Sequence, residues 1–325
     1  MDLSHFSFVF MVFGFICACY GVIANDSLQT LGTFISSKGD RVAWYWLWLA
    51  TSAVLAVTIL FSWYFYGGDI SYGRLAEIPR PETFNWYHVA APAMLVVLTR
   101  FGLPVATTFI VLSAFASQVV LEKVLVTAFV GYTLAAVIAF VIWMGLSKLL
   151  KFNEFDRVSP GREMFWHVGQ WLSTCFLWVL WLTHELGNMA VYLPRQLDMA
   201  WLAITIVVMV GVLAIVFYEQ GGPVQRVITS KTSVGYVRNA TIIDMVLVFI
   251  LVVFKEYNDI PMSTTWVFVG LLCGRELAIF YQNMDKERIP GGPFPILARD
   301  FIKISVGLVV AVGFVLLVGA LKANF

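Results

Sequence analysis

Long apolar runs alternate with short polar strings along this chain, and two of the strings interrupt segments that would otherwise be membrane-length. Residues 6–24 and 43–66 are each long enough to cross a bilayer, since about 20 apolar residues span the hydrocarbon. The second carries Trp and Tyr at its ends, where interfacial anchors belong. After the polar string 25–30, residues 31–36 are too short to cross alone and read as part of a broken helix. Residues 87–98 and 105–117 are also too short alone and flank a first break. Residues 124–150 form a further span, and 165–183, 201–218 and 240–254 are more apolar segments. Residues 262–280 follow a second break, and 304–321 close the series. Polar stretches at 67–85, 219–238 and 283–300 read as loops, and 151–164 is the most charged linker.

The two breaks have the same grammar. The first reads Arg100-Phe-Gly-Leu-Pro-Val-Ala-Thr-Thr108 and the second Asn258-Asp-Ile-Pro-Met-Ser-Thr-Thr265. Pro104 and Pro261 each remove a backbone donor, and paired hydroxyls follow at the same offset. A duplicated, Pro-broken apolar segment is the best sequence pointer to the substrate site of a secondary transporter. Lipid offers no partners to the backbone freed there, so ions, water or neighbouring protein must supply them. The pattern predicts an all-α polytopic transmembrane helix bundle with two inverted repeats. They are residues 1–150 and 165–325, on either side of the linker, with Pro-broken half-helices meeting at a central site.

Composition agrees with lipid as the main solvent. Apolar residues make up 60% of the 325 and charged residues 13%, with mean hydropathy +0.83. A soluble domain carries roughly 45–50% and 25%. A net charge of +1 leaves no nucleic-acid footprint. Cys17, Cys19, Cys175 and Cys273 all lie in apolar segments and read as packing cysteines. The first apolar run has no basic n-region and ends in Asn25-Asp26, so it reads as a helix rather than a cleaved signal. The first basic residue is Lys38, which favours an N-terminus on the outside of a cell (inner) membrane.

Four strings resemble the inorganic phosphate transporter family. Ala24-Asn25-Asp26-Ser-Leu-Gln29-Thr-Leu-Gly32-Thr33 resembles the family's Gly-Ala-Asn-Asp-Val-Ala-Asn-Ala-Phe-Gly-Thr signature. Gly102-Leu-Pro-Val-Ala-Thr-Thr108 resembles its Gly-Leu-Pro-Val-Ser-Thr-Thr-His signature, and Ile260-Pro-Met-Ser-Thr-Thr265 the second copy. Thr183-His-Glu-Leu-Gly-Asn188-Met-Ala190 stands where the family repeats its Asn-Asp motif. The resemblance implies a cation-coupled phosphate importer with no cofactor beyond sodium as coupling ion. It implies a central site from Asn25, Asp26, Gln29, Thr107, Thr108, Asn188, Ser263, Thr264 and Thr265. Sodium would fall to Asn25, Asp26 and Asn188. This chain departs from the family where Asn188 replaces the second Asp, Gly187 the preceding Asn, Ala106 a Ser, and Phe109 and Trp266 a His. Glu185 is a candidate for the missing carboxylate.

The chemistry is consistent with that reading. A tetrahedral oxyanion needs several donors, which hydroxyls and half-helix N–H groups supply without a full countercharge. Sodium prefers hard oxygens, and Asp26 with Asn25 provides them. A membrane-depth Asp costs about 2.5–3.5 kcal/mol on insertion scales, which marks it as functional. Arg100, just before the first break, is a candidate anion contact, a snorkelling side chain or a partner for a carboxylate. His184 reads as a proton relay or a structural histidine. A sulfate permease coupled to sodium or protons and an anion channel are the competing readings. The four histidines show no H-E-x-x-H spacing, which disfavours a zinc enzyme. Partners are then phosphate or sulfate, sodium and membrane lipid, with a homodimer left open.

Overall fold

The computed structural model describes residues 3–39, 41–76, 78–115, 119–150, 156, 158–231, 234–257, 263–283 and 292–322. Among them every element is helical. In chain order they are α1 Leu3–Thr30, α2 Gly32–Lys38, α3 Trp44–Phe65, α4 Trp86–Arg100, α5 Thr107–Ser113, α6 Val119–Leu150, α7 Pro160–Ala190 and α8 Met199–Tyr218. A 3₁₀ turn at Pro223–Gln225 leads into α9 Arg226–Thr229. There follow α10 Val237–Ile250, continued as a π-helix over Leu251–Tyr257, then α11 Thr264–Asn283 and α12 Phe294–Lys322. Seven helices of the described residues are long and apolar enough to cross a membrane.

The expected spans are recovered, with instructive differences at their ends. α1 runs six residues past the expected 6–24, and the interruption is a single turn at Leu31. The polar string Asn25–Thr30 is therefore helical, with Asn25, Asp26, Ser27, Gln29 and Thr30 all buried. α7 likewise continues past 183 to Ala190, burying Glu185 and Asn188. In both cases protein rather than lipid surrounds the polar turn, so helix and polarity coexist. The expected loop 219–238 contains two short helical turns. The second Pro break, with Asn258, Asp259, Pro261 and Met262, lies outside the described residues, as do residues 151–155 and 157 of the linker.

α1 is the hub, packing on α4, α7 and α8 and touching α5 and α11. α10 lies against α7 and α2, and α3 against α7 and α8. α2, α7 and α10 are joined through one buried carboxylate. Asp244 accepts from Thr33 Oγ1 at 2.5 Å, Thr174 Oγ1 at 2.9 Å and Gln170 Nε2 at 3.0 Å. Asp244 thus has three donors from two other helices.

α11 is packed most closely on α6. A Cβ built on Gly270 or Gly274 would overlap the backbone carbonyl of Tyr132 or Ala136. This Gly-x-x-x-Gly stripe lets two backbones touch, the packing that replaces hydrophobic driving force inside lipid. It fixes α11, whose first turn carries Thr264 and Thr265.

Between α4 and α5 the chain leaves the helix. Gly102 adopts φ +70°, a left-handed conformation that costs a glycine little. Its N–H returns to Thr99 O at 2.9 Å, and Leu103 N–H to Leu98 O at 3.0 Å. The next polar groups are satisfied from other helices. Asn25 Nδ2 donates to Leu103 O at 3.2 Å and to Thr99 Oγ1 at 3.1 Å. Asn25 Oδ1 accepts Val105 N–H at 3.2 Å, and Thr265 Oγ1 donates to Val105 O at 3.2 Å. Pro104 brings no donor to satisfy, and α12 comes close there because Gly307 has no side chain to strike Val105.

Three variants test these contacts. Gly274→Ala is expected to destabilise the detergent-purified protein by about 1–3 kcal/mol, as overpacking does. Gly313→Ala, where a Cβ meets open space, is expected to leave the thermal midpoint unchanged; equal midpoints would show that α6 and α11 are not in backbone contact. Asn25→Ala leaves buried backbone groups of the break unpaired, at about 1–3 kcal/mol each. A melting curve identical to that of the parent protein would remove Asn25 from its clamping role.

Candidate functional site

Asn25 aligns the break so that Asp26, one residue on, faces the start of α5. Thr107 Oγ1 lies 2.8 Å from Asp26 Oδ2 and 3.5 Å from Glu185 Oε2, between the two carboxylates. Thr108 donates to Glu185 Oε2 at 2.9 Å. Asn188 Nδ2 donates to Thr108 Oγ1 at 2.9 Å and also to Glu185 Oε2. From α11, Thr265 Oγ1 lies 3.4 Å from Asp26 Oδ1. Asp26, Glu185, Asn188, Thr107 and Thr265 are buried. One short stretch each of α1, α5, α7 and α11 therefore converges on a single polar centre.

One turn along α1, Gln29 Nε2 donates to Thr264 Oγ1 at 2.9 Å. Gln29 Oε1 is buried with no hydrogen-bond partner among the described residues. An acceptor left so costs about 1–3 kcal/mol and is available to a cation or a donor-bearing substrate. Ser263 is half-buried at the head of α11. Among the described residues no group of three or more His, Cys, Asp or Glu side chains converges. The cluster instead offers carboxylate, hydroxyl and amide oxygens, hard ligands of the kind an alkali cation takes.

Asn25 and Arg100 are placed differently from the other expected residues. Both ends of the Asn25 amide are engaged in clamping the break. Arg100 points away, donating to both carboxylate oxygens of Glu219 at 2.9 and 3.1 Å and lying over the Tyr20 ring at 5.0 Å. Of the three roles open to it, the structure shows it paired with a carboxylate.

Sequence reasoning missed Lys255. It lies on the π-helical stretch, a geometry that occurs often at functional sites, with Nζ 3.9 Å from Glu185 Oε1. The next residue, Glu256, pairs with His184 and lies 4.0 Å from Arg74. Two adjacent residues of α7 thus meet two adjacent residues of the π-helix. Side-chain exposure falls from 40% at Arg74 and Glu256 to 13% at Lys255 and 5% at Glu185, so the cluster is nearest the surface on that side. The available signal was a basic residue a few positions ahead of each of the two Pro strings, Arg100 before Pro104 and Lys255 before Pro261.

No protein-family model matches the chain, and no curated protein does. Among solved structures it is similar to one described as "The sodium-dependent phosphate transporter", with 14% sequence identity and a TM-score of 0.58 over 100% of both chains. At that identity the likeness is one of fold. With seven membrane-length helices among the described residues, the chain is a multi-pass integral membrane protein that shares the fold of that structure.

Proposed function

We propose that this protein is a secondary transporter that imports inorganic phosphate, coupled to sodium, by alternating access across the cell membrane. The observation that carries the reading is the pair Asp26 and Glu185 held either side of Thr107 at the junction of four helices. Support also comes from a full-length fold likeness to a protein described as a sodium-dependent phosphate transporter. Two buried carboxylates repel an anion until positive charge joins them. Sodium at the Asp26 oxygens meets that need and makes entry of the anion favourable, so the anion does not bind well without sodium. Hydroxyls of Thr107, Thr108, Thr264 and Thr265 reorient as donors to phosphate oxygens. A buried carboxylate accepts the proton that hydrogen phosphate retains and sulfate lacks, and a site built for a missing hydrogen bond rejects the wrong ligand strongly. In this reading residues 1–150 and 165–325 are inverted repeats, each contributing a Pro-containing string to the central site.

Uptake of labelled phosphate and labelled sulfate into proteoliposomes, with and without an inward sodium gradient, tests the reading. Phosphate uptake that rises with the gradient is expected. Gradient-independent flux of either anion would point to a channel, and sulfate uptake alone to a permease for that ion. Asp26→Asn is expected to abolish sodium-driven uptake while the protein still folds; near-normal sodium-dependent uptake would remove Asp26 from the mechanism. Thr108→Val deletes a donor at nearly constant shape. One hydrogen bond to a charged group is worth roughly 1.5–3 kcal/mol, so affinity for the anion is expected to fall about ten- to a hundredfold. Unchanged affinity would assign Thr108 to helix packing.

A further inference from the structure

We infer that Lys255 is a tethered cation of the central site, its ammonium standing where a second mobile cation would otherwise be needed to neutralise Asp26 and Glu185. The inference rests on the proposed transport reading and deepens it by assigning the number of coupling ions. Three observations carry it. The two carboxylates lie close enough for one hydroxyl, Thr107 Oγ1, to stand 2.8 Å from one and 3.5 Å from the other. Their hydroxyl and amide donors satisfy hydrogen bonds but bring no positive charge. Glu185 turns one oxygen to Thr107, Thr108 and Asn188 and the other to Lys255 Nζ at 3.9 Å. The carboxylate is thus divided between uncharged donors on one oxygen and a full charge on the other.

The arrangement differs from a surface ion pair. Lys255 is 13% exposed and Glu185 5%, and the nearer exposed charges, Glu256 and Arg74, are engaged with His184 and with each other. An ammonium is a compact point charge on a flexible four-carbon stem, the property required of a covalently attached stand-in for an alkali cation. Two negative charges less one tethered positive leave one to be met by a mobile monovalent ion. The site therefore takes up one sodium, at the Asp26 side. Asn188, neutral and hydrogen-bonded to Glu185, fits the same economy: another carboxylate there would call for another ion.

The test is equilibrium binding of radioactive sodium to the intact protein in detergent, at constant ionic strength held with choline, and it needs no transport. The parent protein is expected to bind one sodium. Lys255→Gln is expected to bind two, and Lys255→Arg one. A folded Lys255→Gln with the parent stoichiometry and affinity would overturn the inference. If Lys255→Gln does not fold, Glu185→Gln decides the matter. Its ammonium is then left to Asp26 and competes with sodium there, so affinity for sodium is expected to fall at least tenfold, whereas unchanged affinity overturns the inference. The double variant Glu185→Gln/Lys255→Gln removes the pair together and is expected to return sodium binding to the parent level. Failure of phosphate uptake in proteoliposomes would remove the transport reading and leave the sodium count to be decided on its own.

Discussion

A backbone that leaves the helix at membrane depth needs partners that lipid cannot provide, and most of this structure's centre can be derived from how residues 101–106 obtain them. The amide of Asn25 serves Leu103 and Val105 from α1, and the hydroxyl of Thr265 serves Val105 from α11. To deliver those groups, α1 and α11 must both approach the break. α1 does so by carrying its polar turn inward. α11 does so by resting on α6 through glycines that permit backbone contact. Once these helices are there, Asp26 and Thr265 are neighbours of Thr107 without further adjustment. The polar centre follows from the repair of a discontinuous helix.

Charge imposes the second constraint. The described cluster holds two carboxylates and one ammonium, and its other members are hydroxyls and amides. Removing one partner from a buried pair costs about 3–5 kcal/mol, because the other charge is left alone. The Glu185–Lys255 contact therefore ties the π-helical end of α10 to α7. The Arg100–Glu219 pair is a different case. At 48% and 31% exposure, it is screened and worth at most about 1 kcal/mol, so it can open and close at little cost.

Much of this was legible in the sequence, for identifiable reasons. The apolar spans were, because lipid-facing helices are long and uniform: residues 43–66 were expected and Trp44–Phe65 is found. The members of the centre were legible as well. Asp26, Thr107, Thr108, Asn188 and Thr265 stand in recognisable strings, and the fold brings those strings together. What was not legible depends on direction rather than composition. Asn25 and Asp26 are adjacent and equally polar, yet one is spent on backbone and the other faces the cluster. A hydropathy reading truncates α7 at Thr183, because it cannot know that the next turn lies within protein. Lys255 escaped notice because its neighbours read as the polar end of a span, and only the π-helix turns it inward.

Thr107 has one hydroxyl hydrogen and two carboxylates within reach. It can donate to Asp26 or to Glu185, but not to both. In the structure the shorter distance is to Asp26, at 2.8 Å against 3.5 Å. Any positive charge that settles on Asp26 weakens the claim of that carboxylate on the hydrogen and releases it to turn toward Glu185. The two acids are thus linked by a rotor that needs only a bond rotation, on the picosecond-to-nanosecond scale, while helix movements take microseconds or longer. Occupancy at one acid is communicated to the other long before any helix has moved.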